Sequence, residues 1–475
     1  MATFAALCAS MVRGSRCNGE ATPGPPNTLP IDEAPPVFIR QVAHGKLYSV
    51  GQGGDQKDLV HLWGTPYENG YALGELLGPK VSAFIQSVYV YVEGQLVPRA
   101  ANATWCASHG TRCTALRMAL KLGLRAALGA SFARTRSYLQ PYVLDELRGL
   151  ASATGLPLED VRDVMWLGEL TRGACSMFGA AGRATAASGG GLLQLRALDW
   201  DVDGPYKDYA ALVVYHPPAG GGHAWLNVGF AGWTAAITGV SSTRLAVSEI
   251  GVSFPDETFG PEAYLAEGYP FAFLLRDILQ LDGSLADATR RIQSAKRTCD
   301  LILGVGDGKV GGGSNVDGTT TGGTTTGGTT AGGAAAGGGF ESFSAFQYSP
   351  SVARVVKPTT LVPVNDTWHP RIDDVVYYGM DWICPNDNAM LAHQLRAYHG
   401  TLTAETTLRH VTSYVRTGDL HVAVYDHEAQ DVYVATARPT GADGPLPAYQ
   451  RQFTRIRLPA LFAEPPPEPT AHARA

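Results

Sequence analysis

The sequence predicts an α+β protein built on antiparallel sheets. Helical and extended stretches come in blocks rather than in regular β-α alternation. Apolar residues recur at three and four between Pro66 and Tyr142, the helical period, whereas after Asp203 the apolar runs are short, extended and separated by turn residues.

Taken in order, residues 1–36 are rich in Pro, Gly and small side chains, as in NGEATPGPPNTLP and EAPP, and read as a leader or flexible arm. Their first residues hold a short apolar segment with no basic residue ahead of it, a poor secretory leader as written. VFIRQVAHGKLYSVG reads as strand, turn and strand, with VHLWG as a further short strand. YALGELLGPKVSAFIQSVYVYV and TALRMALKLGLRAALGASFARTRSYL follow as helices, the second with a solvated Arg/Lys face. VLDELRGLASATGLPLEDVRDVMWLGELT gives a helix, a Gly-Leu-Pro turn and a second helix that ends close to Cys175.

Beyond Asp203, YAALVVYHP, HAWLNVGF, AAITGVSS and RLAVSEIGVSF are expected strands, PFAFLLRDILQ and SLADATRRIQSAK helices, and CDLILGVG the next strand. Residues 311–339 are a Gly/Thr tract that cannot bury an apolar face, so disorder is expected there. Excising the tract joins LILGVGDGK to FQYSPSVARVV as a hairpin. NAMLAHQLRAYHG and TAETTLRHVTSYVR read as helices, HVAVYD and VYVATAR as a strand pair, and a Pro-rich tail follows Phe462.

Composition narrows the class. Hydrophobic residues make up 45% of the 475, enough for a large core, and the net charge of −6 comes with scattered Lys and Arg. No basic stripe suits nucleic acid, and no run of 18 apolar residues suits a membrane span, leaving at most peripheral membrane contact. The seven cysteines form no CxxC or Cys/His spacing for zinc. With Cys175 set aside, six remain, which permits bridges Cys106–Cys113 and Cys299–Cys384; with the sequons at Asn102 and Asn365 they suit an oxidising route, lysosomal or secreted, against reduced cysteines in the cytosol.

The chemistry is placed in 167–204. Cys175, preceded by the small residues Gly173 and Ala174, is followed by a glycine-rich turn and by LLQLRALDWD, a strand that delivers Arg196 and Asp199. Small residues ahead of a nucleophile suit a strained scissile peptide. A chain cut between Ala174 and Cys175 would free an α-amine, ordinarily of pKa about 7.7, that can take the thiol proton without a histidine. The competing reading is a buried cysteine that packs as a small hydrophobe.

Cys175-Ser-Met-Phe followed by Arg196-Ala-Leu-Asp199 resembles the Cys…Arg-Asn-Leu-Asp pattern of N-terminal-nucleophile (Ntn) cysteine hydrolases: acid ceramidase, N-acylethanolamine acid amidase, bile salt hydrolase and the acyl-coenzyme A:6-aminopenicillanic acid acyltransferase family. HLWGTPYENGYALGELL and LDELRGLASATGLPLEDV resemble segments of the same group, and FAFLLRDILQ, RTCDLILGVGDGK and YYGMDWICPND are similar to acid-ceramidase-like proteins. The resemblance implies an αββα sandwich, an N-terminal α part (37–174), a β part from Cys175 (175–475), and two self-cut chains that stay associated. It implies an amidohydrolase acting on a small N-acyl lipid, ceramide-like or N-acylethanolamine-like, with Cys175 as nucleophile and no cofactor or metal. An acyltransferase, a phospholipase-B-like ester hydrolase and an uncut, non-catalytic relative stay open beside it.

Two further positions follow from the resemblance. Asp381, in Tyr378-Gly-Met-Asp-Trp, stands where related hydrolases place an oxyanion-hole Asn, and Arg451 stands where bile salt hydrolases carry a late arginine. The carboxylates of Asp199, Asp201 and Asp203 open like a calcium loop, but Ala210 occupies the place of the bidentate Glu. Gly306 to Gly311 matches GxGxxG without a following helix, which makes it a turn. His393, His399, His410 and His421 are expected to be structural or surface residues, and Trp200, Trp225, Trp233 and Trp382 are candidates for an acyl pocket or for core.

Overall fold

The computed structural model describes residues 22–100, 108, 110–171, 173–261, 265–310 and 341–468. Cys8, Cys17, Asn102, Cys106 and the Gly/Thr tract 311–339 lie outside these described residues. Strands are numbered along the chain. The larger sheet runs β1 (Val37–Val42), β2 (Gly45–Val50), β3 (Lys57–Trp63), β6 (Ala210–His216), β7 (Trp225–Phe230), β8 (Gly239–Ser241), β9 (Leu245–Gly251), β10 (Leu301–Asp307), β11 (Phe343–Tyr348) and β12 (Ala353–Val356). The smaller runs β13 (Val375–Met380), β4 (Ala174–Ala180), β5 (Leu193–Asp199), β14 (His421–Asp426), β15 (Asp431–Thr436) and β16 (Thr454–Arg457).

The two sheets face each other, with β4 and β5 against β9, β10 and β11. Helices α1 (Pro66–Ala100), α2 (Gly110–Thr135), α3 (Pro141–Thr154), α4 (Leu158–Leu170), α5 (Phe271–Leu281) and α6 (Leu285–Ser294) form the layer outside the larger sheet. Outside the smaller sheet lie α7 (Pro385–Ala397) and a helical run over 404–415, wound as π-helix through Thr407–Thr412. The architecture is the αββα sandwich that the resemblance implies. No helix of the described residues is long and apolar enough to cross a membrane.

Local chemistry sets these boundaries. Pro141 opens α3 at its first turn and Gly155, at φ 70°, ends it in the left-handed conformation. The Ser284 side chain caps α6 by accepting from the Asp287 amide. Where α1 crosses α3 the backbones nearly touch: a Cβ on Gly70 would stand 1.9 Å from the Glu146 carbonyl oxygen, and one on Gly149 2.0 Å from that of Tyr67. Between the sheets, Gly179 leaves the space that the Phe343 ring fills, 2.1 Å from where a Cβ would be.

Three findings differ from the sequence reading. The sheets are antiparallel except at β3 and β6, which pair in parallel from Asp58↔Ala211 to Trp63↔His216. Between those strands the chain makes α1–α4 and two strands of the other sheet, the long crossover a parallel pair requires. Second, the stretch 22–36 of the expected arm is packed: Asn27 donates to the carbonyls of Tyr449 and Arg451, and the backbone of Asp32 exchanges hydrogen bonds with Phe453 and Arg455. Third, the Cys299–Cys384 bridge is not made. Cys299 is a buried thiol ahead of β10 in the larger sheet, while Cys384, which is disulfide-bonded as Cys113 is, packs with Ala174 and Met380 at the smaller one. Strands β13 and β16 also escape the sequence reading: β13 is buried throughout and shows no alternation, and β16 is only four residues long.

Glu146 of α3 is fully buried and meets Arg276 of α5 at 2.5 Å, while Tyr215 of β6 donates to its other oxygen at 2.9 Å. Arg276 lies over the rings of Tyr142 and Tyr215, 4.7 and 4.8 Å from their centres. Burial raises the Glu146 carboxyl against the pull of Arg276, so the pair is sustained by contact and not by solvent. Arg276→Met, which strands Glu146, is expected to cost about 3–5 kcal/mol in urea unfolding. The double change Glu146→Gln/Arg276→Met should cost markedly less.

Candidate active site

Cys175 lies in β4 between Leu198 of β5 and Met380 of β13, and Met177 faces Arg196 in the same register. Paired residues of antiparallel strands share a face, so Cys175, Met177, Arg196 and Leu198 point together toward the larger sheet. Ser176 and Asp199 point the other way, toward the loop 416–419. The thiol, the guanidinium and the carboxylate of the sequence reading are thus neighbours, with the carboxylate on the opposite face.

Arg196 has no exposed surface. It donates to the carbonyls of Ala197 at 2.7 Å and Ile237 at 3.3 Å, and its Nη2 lies 3.3 Å from Glu249 Oε2 of β9 in the facing sheet. Cys175 is equally buried, and desolvation pushes its thiol up to about 12; Arg196 and the Asp199 amide favour the thiolate, while Glu249 and Asp199 oppose it. Beside Arg196, His421 is held well below its usual range by burial and by the guanidinium, and its Nε2 meets Thr238 Oγ1 at 2.8 Å.

Asp199 is held by three donors: the Thr417 hydroxyl at 2.6 Å on Oδ2, and the amides of Gly418 and Asp419 at 2.7 and 3.1 Å on Oδ1. Burial and the nearby Asp419 keep its carboxyl well above the usual range despite them. Asp201 accepts instead from Tyr91 and from the Asp203 amide, so the carboxylates of Asp199 and Asp201 have separate donors. Among the described residues no group of three or more His, Cys, Asp or Glu is arranged to hold a metal ion.

Asp381 follows Met380, whose left-handed φ of 66° turns the chain at the end of β13 beside Cys175. Its carboxylate accepts from the amides of Ser253 at 2.6 Å and Trp382 at 2.7 Å, and burial lifts it to about 6. It ties the exit of β9 to the end of β13. Arg451 is placed elsewhere, donating to Asp55 at 2.6 Å and to the carbonyls of Asp443 and Pro445. Trp200 and Trp233 line a cleft beside Arg196 with Phe230, Phe271, Leu167 and Glu249, enclosing about 90 Å³. Trp225 instead stacks on Tyr215, and Trp382 on Tyr378.

No protein-family model matches the chain. It is 32% identical over 453 residues to protein dcd1B of Dictyostelium discoideum, covering 93% of this chain and 82% of that protein. The chain belongs to the dcd1 family. It is also 30% identical over 460 residues to dcd1A of the same organism, covering 92% of this chain and 93% of the relative. Solved structures that the dcd1-family chain resembles include a Caenorhabditis elegans N-acylethanolamine-hydrolyzing acid amidase ortholog, at TM-score 0.36 and 13% identity over 53% of this chain and 93% of that one. Penicillin V acylase from Agrobacterium tumefaciens follows at TM-score 0.33 and 12% identity over 55% and 83%. Likeness of that degree decides neither activity nor substrate.

Two site residues of this dcd1-family chain escape a reading of its motifs. Glu249 carried a signal, a lone charge inside the apolar strand RLAVSEIG, where a carboxylate is buried only if paired. Thr417, in a short turn between a helix and a strand, carried none. Because Glu249 opposes the thiolate and Arg196 favours it, Glu249→Gln is expected to speed iodoacetamide labelling of Cys175 in the uncut chain at mildly alkaline pH. Arg196→Gln should slow it. Peptide mass spectrometry reads both, and equal rates would refute the electrostatic assignment.

Proposed function

We propose that the chain is an Ntn cysteine amidohydrolase that cuts its own Ala174–Cys175 bond and then cleaves the amide of an N-acyl lipid. The observation that carries the reading is the burial of Cys175 against Arg196 at the head of β4, where a cut before the cysteine makes its amine the strand's first atom. Arg196 favours the thiolate there, and the aromatic cleft beside it suits an acyl chain.

In the first step Cys175 Sγ bonds to the Ala174 carbonyl carbon, the C–N bond breaks, and the thiol proton ends on the freed amine. Water then splits the thioester, leaving a carboxylate on Ala174 and restoring the thiol. In turnover the α-amine takes the thiol proton, Sγ attacks the substrate carbonyl, and the departing amine receives that proton. Water releases the acid; an amine acceptor in its place would make the enzyme an acyltransferase. Backbone amides at the oxyanion contribute about 3 kcal/mol per donor.

The cleft is bordered by Leu167, Thr171 and Gly173, just ahead of the cut, so the cut would free part of its wall for an acyl chain. The parallel β3–β6 ladder and the Glu146–Arg276 pair both cross the cut, which supports two chains that stay together. The disulfide-bonded Cys113 and Cys384 support a lysosomal or secreted location.

Protein held at acidic pH should yield a fragment beginning Cys-Ser-Met-Phe by intact mass and N-terminal sequencing, with both fragments co-eluting on size exclusion. Cys175→Ala should remain one chain and lose ceramide and N-acylethanolamine hydrolysis. A wild-type chain that never splits would favour an uncut, non-catalytic relative, and ester cleavage without amide cleavage would favour a phospholipase-B-like enzyme.

A further inference from the structure

Thr417 sits between two residues that the fold forces into the left-handed region, Arg416 at φ 56° and Gly418 at φ 94°. A Cβ on Gly418 would stand 2.1 Å from Val422 Cγ2. The turn is therefore fixed, and it drives the Thr417 side chain into full burial. There its Oγ1 lies 2.6 Å from Asp199 Oδ2 and 2.7 Å from Ser176 Oγ, while Ser176 Oγ also accepts from the Met380 amide at 3.3 Å.

The count of protons decides what this row can do. A threonine hydroxyl has one hydrogen, and it faces two oxygens at hydrogen-bond distance. With Asp199 ionised, Thr417 donates to the carboxylate and Ser176 donates to Thr417. With Asp199 protonated, its O–H donates to Thr417, Thr417 donates to Ser176, and the Ser176 hydrogen turns away. One proton is gained at Asp199, and two hydroxyl hydrogens swing without any bond to oxygen breaking.

We propose that Thr417 is a positioning residue that links the protonation state of Asp199 to the orientation of the Ser176 hydroxyl, next in sequence to the nucleophile. Acid thus resets a hydrogen-bond row beside the scissile peptide without moving the backbone. The inference rests on the proposed role of Cys175 for its functional meaning, but its physical content does not. The titratable groups near Asp199 are Asp419 of the same turn with Asp201 behind it, Tyr449 ahead of β16 and, on the reverse face of the strands, Cys175 of β4.

The test uses the uncut Cys175→Ala chain, so no reaction is needed. Burial and Asp419 raise Asp199 above its unfolded value, so its contribution is lost as pH rises through the folded value. Removing the Thr417 donor raises it further, and the penalty should grow from acid to neutral pH. Thr417→Val is expected to melt below its parent throughout, by about 2 °C more at neutral pH, where the lost bond is to an ionised carboxylate, than in acid, where it is to a neutral one, with Thr417→Ser following the parent throughout. A deficit in Thr417→Val equal at all pH, or Thr417→Ser as unstable as Thr417→Val, would overturn the relay in favour of packing. In the cut-competent chain, Thr417→Val should also move the pH midpoint of processing upward. A wild-type chain that never splits would remove the proposed function, while the melting curves would still decide the relay.

Discussion

A guanidinium with no exposed surface must be met on every side, and Arg196 is met by both sheets. Its own strand supplies the Ala197 carbonyl; the loop leading into β8 supplies the Ile237 carbonyl, and β9 the Glu249 carboxylate. A buried cation of this kind tolerates little change in sheet spacing, because losing one partner strands the other without water. The distance between the sheets at β5 and β9 is therefore held by electrostatics as well as by packing. Phe343 in the gap left by Gly179 fixes it a few residues away. Cys175 inherits its surroundings from that spacing.

The same face shows how the proposed nucleophile would be kept inert. The thiol lies in an apolar, closed place, and its burial, with the carboxylates of Glu249 and Asp199 nearby, outweighs the pull of Arg196. On the proposed reading the thiol's reactivity would depend on a base that the continuous backbone does not contain, since the nitrogen of Cys175 is an amide unless the peptide is cut. Asp199 and Ser176, on the reverse face of the same strands, meet the turn that follows the helical run 404–415. Each half of the site thus answers to a different layer of the sandwich.

Much of this was legible in the sequence, and the limits are physical. The helical period of 66–170 and the extended runs after Asp203 gave the elements, because each buries one clear face. Cys175, Arg196 and Asp199 could be placed on adjoining strands from spacing alone. Their distribution over opposite faces follows from register, which depends on pairing partners that one strand does not name. Glu249 and Thr417 come from 50 and more residues away, so only the folded chain brings them in. Asp381 matched a motif position, yet four backbone amides engage its carboxylate. Arg451 was singled out by a three-residue likeness, and its guanidinium is held by Asp55. The stretch 22–36 has the composition of a loose arm, but its backbone finds partners in strands made last.

That last contact bears on how the polypeptide is made. Asp32 pairs with Phe453 and Arg455, and Lys46 reaches Glu464 at 2.7 Å, so both ends of the described chain close on each other. During synthesis the segment 22–36 must wait until residues 453–455 have emerged, whereas β1–β3 find their partners in one another and in β6. Contacts of such long sequence separation slow folding and leave unpaired strand edges open meanwhile. In the dcd1-family fold the packing of 22–36 is thus among the last contacts to form, set by β16 and the turn before it.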